Sequence, residues 1–112
     1  MVKQGDIIRL NFDPQAGHEQ SGRRPAIVVS NIKFNRFSHC KQVMVCPITR
    51  TDKNLPYHIR LDDRTKTNGV ILTDQLRALD INAREYEFIE EAPEDIIIEL
   101  IDVITGFIEI TC

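Results

Sequence analysis

Residues 6–14 read Asp6-Ile7-Ile8-Arg9-Leu10-Asn11-Phe12-Asp13-Pro14. Ile8, Leu10 and Phe12 alternate with Ile7, Arg9 and Asn11, the period-two pattern of a strand with one buried face, and Asp13-Pro14 stops it. Residues 14–22 are polar, small or glycine, which predicts an exposed irregular segment able to carry function. Beyond it, Pro25-Ala26-Ile27-Val28-Val29-Ser30 and residues 43–48 are β-branched runs apolar enough to be buried on both faces. Residues 57–61 and 70–73 add two further strands, residues 75–79 a sixth and residues 86–90 a seventh.

The period changes at the carboxyl end. Pro93 suits a first helical position, and Glu94 and Asp95 put negative charge where a helix dipole favours it. Asp95, Glu99, Asp102 and Gly106 fall on one stripe, leaving Ile97, Leu100, Ile101, Val103, Ile104 and Phe107 as a broad apolar face for packing on a sheet. Five to seven short strands, hairpin-length connections and one long helix predict a mainly β architecture, a small strongly bent sheet or partly open barrel. With 112 residues and 42% hydrophobic content, the expected organisation is one unit spanning residues 1–112.

Composition excludes several function classes. No run of about eighteen apolar residues offers a membrane span, and the polar start Met1-Val2-Lys3-Gln4-Gly5-Asp6 does not suit a signal peptide, so a cytoplasmic protein is expected. Cys40, Cys46 and Cys112 form no CxxC pair and are expected to be free thiols; Cys46, in an apolar strand, fits a buried one. His18, His39 and His58 match no zinc spacing with them, so neither metal nor cofactor is expected.

The formal charge is −3, yet it is unevenly distributed. Residues 1–60 hold ten Lys and Arg against four Asp and Glu, and residues 61–112 hold four against thirteen. Between Gln20 and Arg60 the only acid is Asp52. A basic surface can therefore exist on an acidic protein, as can a set of solvated strand ends.

There is no Walker loop, GxGxxG, HExxH or GxSxG. What stands out is an Arg-rich corner, Gly22-Arg23-Arg24-Pro25, where an exposed loop enters a buried strand, and a second corner, Pro47-Ile48-Thr49-Arg50, at the end of the third strand. Arg offers a planar array of donors matched to phosphate oxygens, and Thr a hydroxyl that can donate or accept. Taken alone, such residues also fit ordinary strand ends.

Two longer stretches carry a resemblance. Residues 5–14, Gly5-Asp6-Ile7-Ile8-Arg9-Leu10-Asn11-Phe12-Asp13-Pro14, and residues 17–31, Gly17-His18-Glu19-Gln20-Ser21-Gly22-Arg23-Arg24-Pro25-Ala26-Ile27-Val28-Val29-Ser30-Asn31, closely resemble the opening of MazF/PemK toxins. The strand at 43–49, Leu55-Pro56, Asp74-Gln75-Leu76-Arg77 and the final amphipathic helix follow in the family's order, so the resemblance covers nearly the whole chain. Departures are Asn68-Gly69-Val70, where many relatives carry a hydroxyl residue before the strand, and Ile81 after Asp80, where a basic residue is frequent.

The resemblance implies a mainly β, SH3-like small barrel of the CcdB/PemK type with a C-terminal helix, dimerising and neutralised by an acidic MazE-like antitoxin. It implies a sequence-specific, metal-independent endoribonuclease that cuts single-stranded mRNA to 2′,3′-cyclic phosphate and 5′-OH ends and so inhibits translation and growth. The family's catalytic arginine falls on Arg24 and its catalytic threonine on Thr49. Glu19 and Gln20, with His18 beside them, lie in the segment resembling a mobile substrate cover. Arg23, Gln75 and Arg77 are further expected RNA contacts. Phe34 and Phe37, in residues 31–38, are expected to anchor a loop or stack unpaired bases. The acidic carboxyl half exceeds what a nuclease surface calls for, and a place behind the barrel, away from substrate, is open to it. Rival readings are a gyrase-poisoning toxin of the CcdB type and a noncatalytic SH3-like binding module, although 6% aromatic content and no Trp give the latter a poor peptide groove.

Overall fold

The computed structural model describes residues 2–13, 22–39 and 41–111. Its centre is β1 (Asp6–Asn11), β2 (Arg23–Val28) and β3 (Gln42–Thr49), successive antiparallel neighbours. Two-residue strands β4 (Ile59–Arg60) and β5 (Val70–Ile71) extend the sheet beyond the carboxyl end of β3. The amino end of β3 pairs with β6 (Arg77–Asp80), and β7 (Glu87–Glu91) closes the far side on β1. All pairings are antiparallel, and the path β4-β5-β3-β2-β1-β7 with β6 on β3 is a curled sheet, a half-barrel, carrying one long helix at the end of the chain.

Curling gives the sheet two cores. Ile8, Leu10, Ala26, Val28, Val43, Val45, Leu79 and Ile81 fill one. Among the described residues Ile7, Ile27, Cys46, Ile48 and Ile71 fill the other, under the helix. Side chains alternate across a strand, so Ile7 and Ile8 serve opposite cores. The one-sided alternation expected of residues 6–12 is thus corrected at Ile7.

The long helix, α2 (Glu94–Ile108), starts after Pro93 and docks through Ile96 and Leu100, with Ile97, Val103 and Ile104 beside them. The apolar face expected from periodicity is rotated: Ile96 is buried, while Ile101 and Phe107 are largely exposed, Phe107 meeting Tyr57 edge to face. A second, short helix, α1 (Ile32–Phe37), occupies residues expected to form a loop. Asn31 caps it, its side chain accepting from Phe34 N at 3.1 Å, the favoured role of Asn at a helix start. Ser30 and Asn35 bond each other beneath it.

The break between β1 and β2 is tied at its base. Gly22 N donates to Asp13 Oδ1 at 2.9 Å, Phe12 N donates to the Gly22 carbonyl at 2.8 Å, and Gly22 takes a φ of +76° that favours glycine. Arg23 and Arg24 therefore leave this clamp directly into β2.

Candidate functional site

Proline shapes the site. β2 pairs with β3 only from Ala26, opposite Pro47, to Val28, opposite Val45. Pro25 lies just before that pairing begins, so its missing N–H costs no ladder bond on this side. Beyond the Ala26/Pro47 pair the strands part, β3 turning to β5 with Thr49 opposite Val70. Arg24 and Thr49 each stand two residues past that pair, hence on one face of their strands. Both line the cavity that opens between the strands, about 460 Å³ in volume.

Thr49 is nearly buried, and its Oγ1 accepts from Thr51 N at 3.3 Å. That bond uses an acceptor position and leaves the hydroxyl proton to donate. Arg24 is half-buried. Behind Thr49 the backbone is closely packed: a Cβ on Gly69, whose φ is +126°, would lie 2.2 Å from the Thr49 carbonyl oxygen and 2.8 Å from its carbon. Only glycine allows that approach.

A second cavity, about 380 Å³, shares Arg24, Thr49 and Thr51 with the first and adds Leu55, His58, Leu72, Asp74 and Gln75. Gln75 ends a short 3₁₀ turn, η1 (Thr73–Gln75). Thr73 Oγ1 donates to the Tyr57 carbonyl at 2.8 Å, and His58 Nε2 lies 2.9 Å from Asp74 Oδ1. These bonds hold the turn, and with it Gln75, against the approach to β4.

The expected site residues fall into four groups. Arg24, Thr49 and Gln75 converge on the joined cavities. Arg23 lines the first cavity but also bonds the Glu85 carbonyl at 3.2 Å and Glu87 Oε2 at 3.3 Å. Arg77, on β6 opposite Val45, lines neither. His18, Glu19 and Gln20 lie outside the described residues, as do Cys40 and Cys112. Phe34 and Phe37 belong to α1 and line neither cavity. Two residues of the acidic carboxyl half lie close to the site: Glu87 reaches Arg23, and Glu90 accepts from Lys66 N, Thr67 N and Thr67 Oγ1 at 2.8–3.0 Å, holding the cavity's rim. Burial pushes the Glu90 carboxyl up, but these bonds outweigh it and leave the group below the usual carboxylate range.

Sequence reasoning did not include Arg9 or Lys66, yet both line the first cavity. Arg9 is the polar member of the β1 alternation, a weak signal; Lys66 has none, since only folding brings it near Arg24.

A model of the "PemK-like, MazF-like toxin of type II toxin-antitoxin system" family matches residues 3–107. The chain belongs to this PemK/MazF toxin family. It is 34% identical to endoribonuclease PemK of Escherichia coli over 104 residues, covering 89% of this chain and 77% of that protein. In three dimensions it is similar to MazF from Deinococcus radiodurans, with a TM-score of 0.87, 37% identity and coverage of 95% and 94%. It is also similar to a chain of a MazE-MazF crystal structure from the same organism, with a TM-score of 0.83, 33% identity and coverage of 98% of each chain. Among PemK/MazF toxins the architecture described above is therefore the shared one, and the joined cavities lie where its second and third strands separate.

Proposed function

We propose that this PemK/MazF chain is a sequence-specific endoribonuclease toxin that cuts single-stranded RNA without a metal, acts in the cytoplasm on mRNA and is neutralised by an acidic MazE-like antitoxin. The observation that carries this reading is the joint presence of Arg24 and Thr49 in one basic cavity. In the reaction, the ribose 2′-oxygen bonds to the adjacent phosphorus and the P–O5′ bond breaks. The 2′-OH proton is lost, O5′ leaves with a proton as a 5′-OH, and a 2′,3′-cyclic phosphate stays on the other fragment. Charge builds on the non-bridging oxygens. Arg24 can stabilise it and assist proton movement, and the Thr49 hydroxyl can donate to an oxyanion, so a guanidinium and a hydroxyl supply what a metal would otherwise supply. Arg23 and Gln75 contact the flanking RNA, Glu19, Gln20 and His18 contribute from the segment before β2, and Arg77 acts from β6, outside the two cavities. The active form is a homodimer.

The test is incubation with a long single-stranded RNA in EDTA, with the ends read by mass spectrometry. Cleavage with cyclic phosphate ends is expected, and DNA should resist because it lacks the nucleophile. Strict dependence on added magnesium, or uniform 5′-phosphate products, would overturn the mechanism.

A further inference from the structure

The two cavities that meet at Arg24 and Thr49 differ in chemistry. Among the described residues the first is lined by five cationic residues, Arg9, Arg23, Arg24, Arg50 and Lys66, and by no carboxylate-bearing residue. Arg9, Arg50 and Lys66 come from three separate places: the middle of β1, the end of β3 and the loop before β5. Among the described residues their side chains form no ion pair. All three are exposed, so their charge faces solvent. Glu90 lies close by, yet its carboxylate is held by the backbone of Lys66 and Thr67, an arrangement that pins the loop and presents the lysine to the cavity.

The second cavity is of another kind. Leu55 and Leu72 supply apolar wall, Asp74 a carboxylate that is 42% exposed, and Gln75 an amide that both donates and accepts. Among the described residues Lys53 is its single added cation. A phosphate would meet Asp74 unfavourably there, whereas an unpaired base has a flat apolar face and donor and acceptor edges that suit such a lining.

We propose that Arg9, Arg50 and Lys66 form a phosphate-binding lobe that grips the RNA backbone beside the scissile bond without reading sequence, and that base reading is confined to the Leu55/Leu72/Asp74/Gln75 lobe. This rests on the ribonuclease reading above and assigns binding residues that reading did not contain. Affinity and specificity thereby come from opposite sides of the Arg24–Thr49 pair. Electrostatic contacts to phosphate carry no base information but release counterions, so their signature is the salt dependence of binding.

The experiment measures fluorescence anisotropy of a panel of single-stranded, uniformly 2′-fluoro oligoribonucleotides, which lack the nucleophile, over a range of salt concentrations. For Arg9→Ala combined with Lys66→Ala, every sequence should weaken by a similar factor, and the slope of log affinity against log salt should shrink by roughly 0.7 for each phosphate no longer neutralised. Gln75→Ala should compress the ranking among sequences and leave the slope unchanged. An unchanged slope in the double variant with an unchanged melting curve would overturn the proposal, and so would a double variant that re-ranks sequences. If it keeps RNA affinity but no longer captures an oligo-glutamate peptide, the lobe serves an acidic protein partner and the proposal falls. Cleavage of ordinary RNA by the unsubstituted protein is scored separately. Binding with the expected slopes but no cleavage removes the ribonuclease reading and leaves the lobe standing; cleavage with unchanged slopes does the reverse.

Discussion

Arg24 and Arg23 are neighbours with the same charge but different surroundings, which makes them a built-in comparison. Arg23 is partly engaged by Glu87, whereas Arg24 faces the cavity with Thr49. Arg24→Ala and Thr49→Ala are each expected to slow single-turnover cleavage by about a hundredfold to a thousandfold, the usual loss on removing a donor aimed at transition-state charge. Arg23→Ala should be much milder and partly rescued at low salt. Near-wild-type rates for Arg24→Ala or Thr49→Ala, with unchanged melting, would remove the site assignment. Gly69 acts one layer behind. A methyl group at that position would run into the Thr49 carbonyl, so Gly69→Ala must move that backbone. A displacement of about 1 Å at a reacting group can cost a hundredfold in rate; cleavage should therefore fall far more than the melting temperature, and an equal fall in both would show Gly69 to be merely structural. At Cys46, burial pushes the thiol up to about 12, with the Asp74 charge adding to it. At pH 8 the peptide containing Cys46 should stay unalkylated by iodoacetamide until the protein unfolds, and rapid labelling in the folded state would contradict the packing.

Among the elements, α2 is held by few residues. Leu100 is fully buried and Ile96 nearly so, while Ile98, two positions earlier than Leu100, is 61% exposed. Leu100→Ala should cost about 2–5 kcal/mol, the range for a truncated core leucine, and Ile98→Ala about 0.5 kcal/mol or less. Denaturant midpoints would separate them; equal losses would mean the helix is rotated from the orientation described. The periodicity of residues 94–108 identifies the helix but not its rotation, because Ile96, Ile97, Ile98, Leu100 and Ile101 together cover most of the circumference. Which of them face inward depends on where β4 and η1 meet the helix, and no local pattern contains that. α1 was hidden for the opposite reason: six residues are too few to establish a period.

At the scale of the whole molecule, part of the charge is held in local pairs. Arg64 holds Asp95 at 2.8 and 2.9 Å and Asp62 at 2.8 Å, and Arg60 holds Asp52 at 2.6 Å. The hydrogen bonds from Arg64 keep Asp62 and Asp95 below the usual carboxylate range, and that from Arg60 does the same for Asp52. A carboxyl depressed in the folded state binds fewer protons there than in the unfolded chain. Its stabilisation is therefore complete above about pH 4, the unfolded value, and is lost as pH falls through the folded values. Melting temperature should fall below about pH 4, and less steeply in high salt because these pairs are exposed. A transition unaffected by salt in that range would count against their role. The proposed homodimer is checked by light scattering at micromolar concentration; an efficient monomeric nuclease would overturn it.

Much of this was legible in residue order. Alternation and β-branched runs locate the strands to within a few residues, because one strand's side chains sample two faces wherever it packs. The Arg24 and Thr49 corners were readable by resemblance, and the ordered match of residues 5–31 carries further than either corner alone. What only the tertiary structure decided is which distant residues share a cavity. Arg9, Thr49 and Lys66 lie on three segments, and they meet because β2 and β3 separate beyond the Ala26/Pro47 pair and β5 turns back along β3. Local periodicity is set by the backbone's own repeat, whereas the position of a cavity is set by where long-range pairing stops, and no short stretch of sequence records that limit.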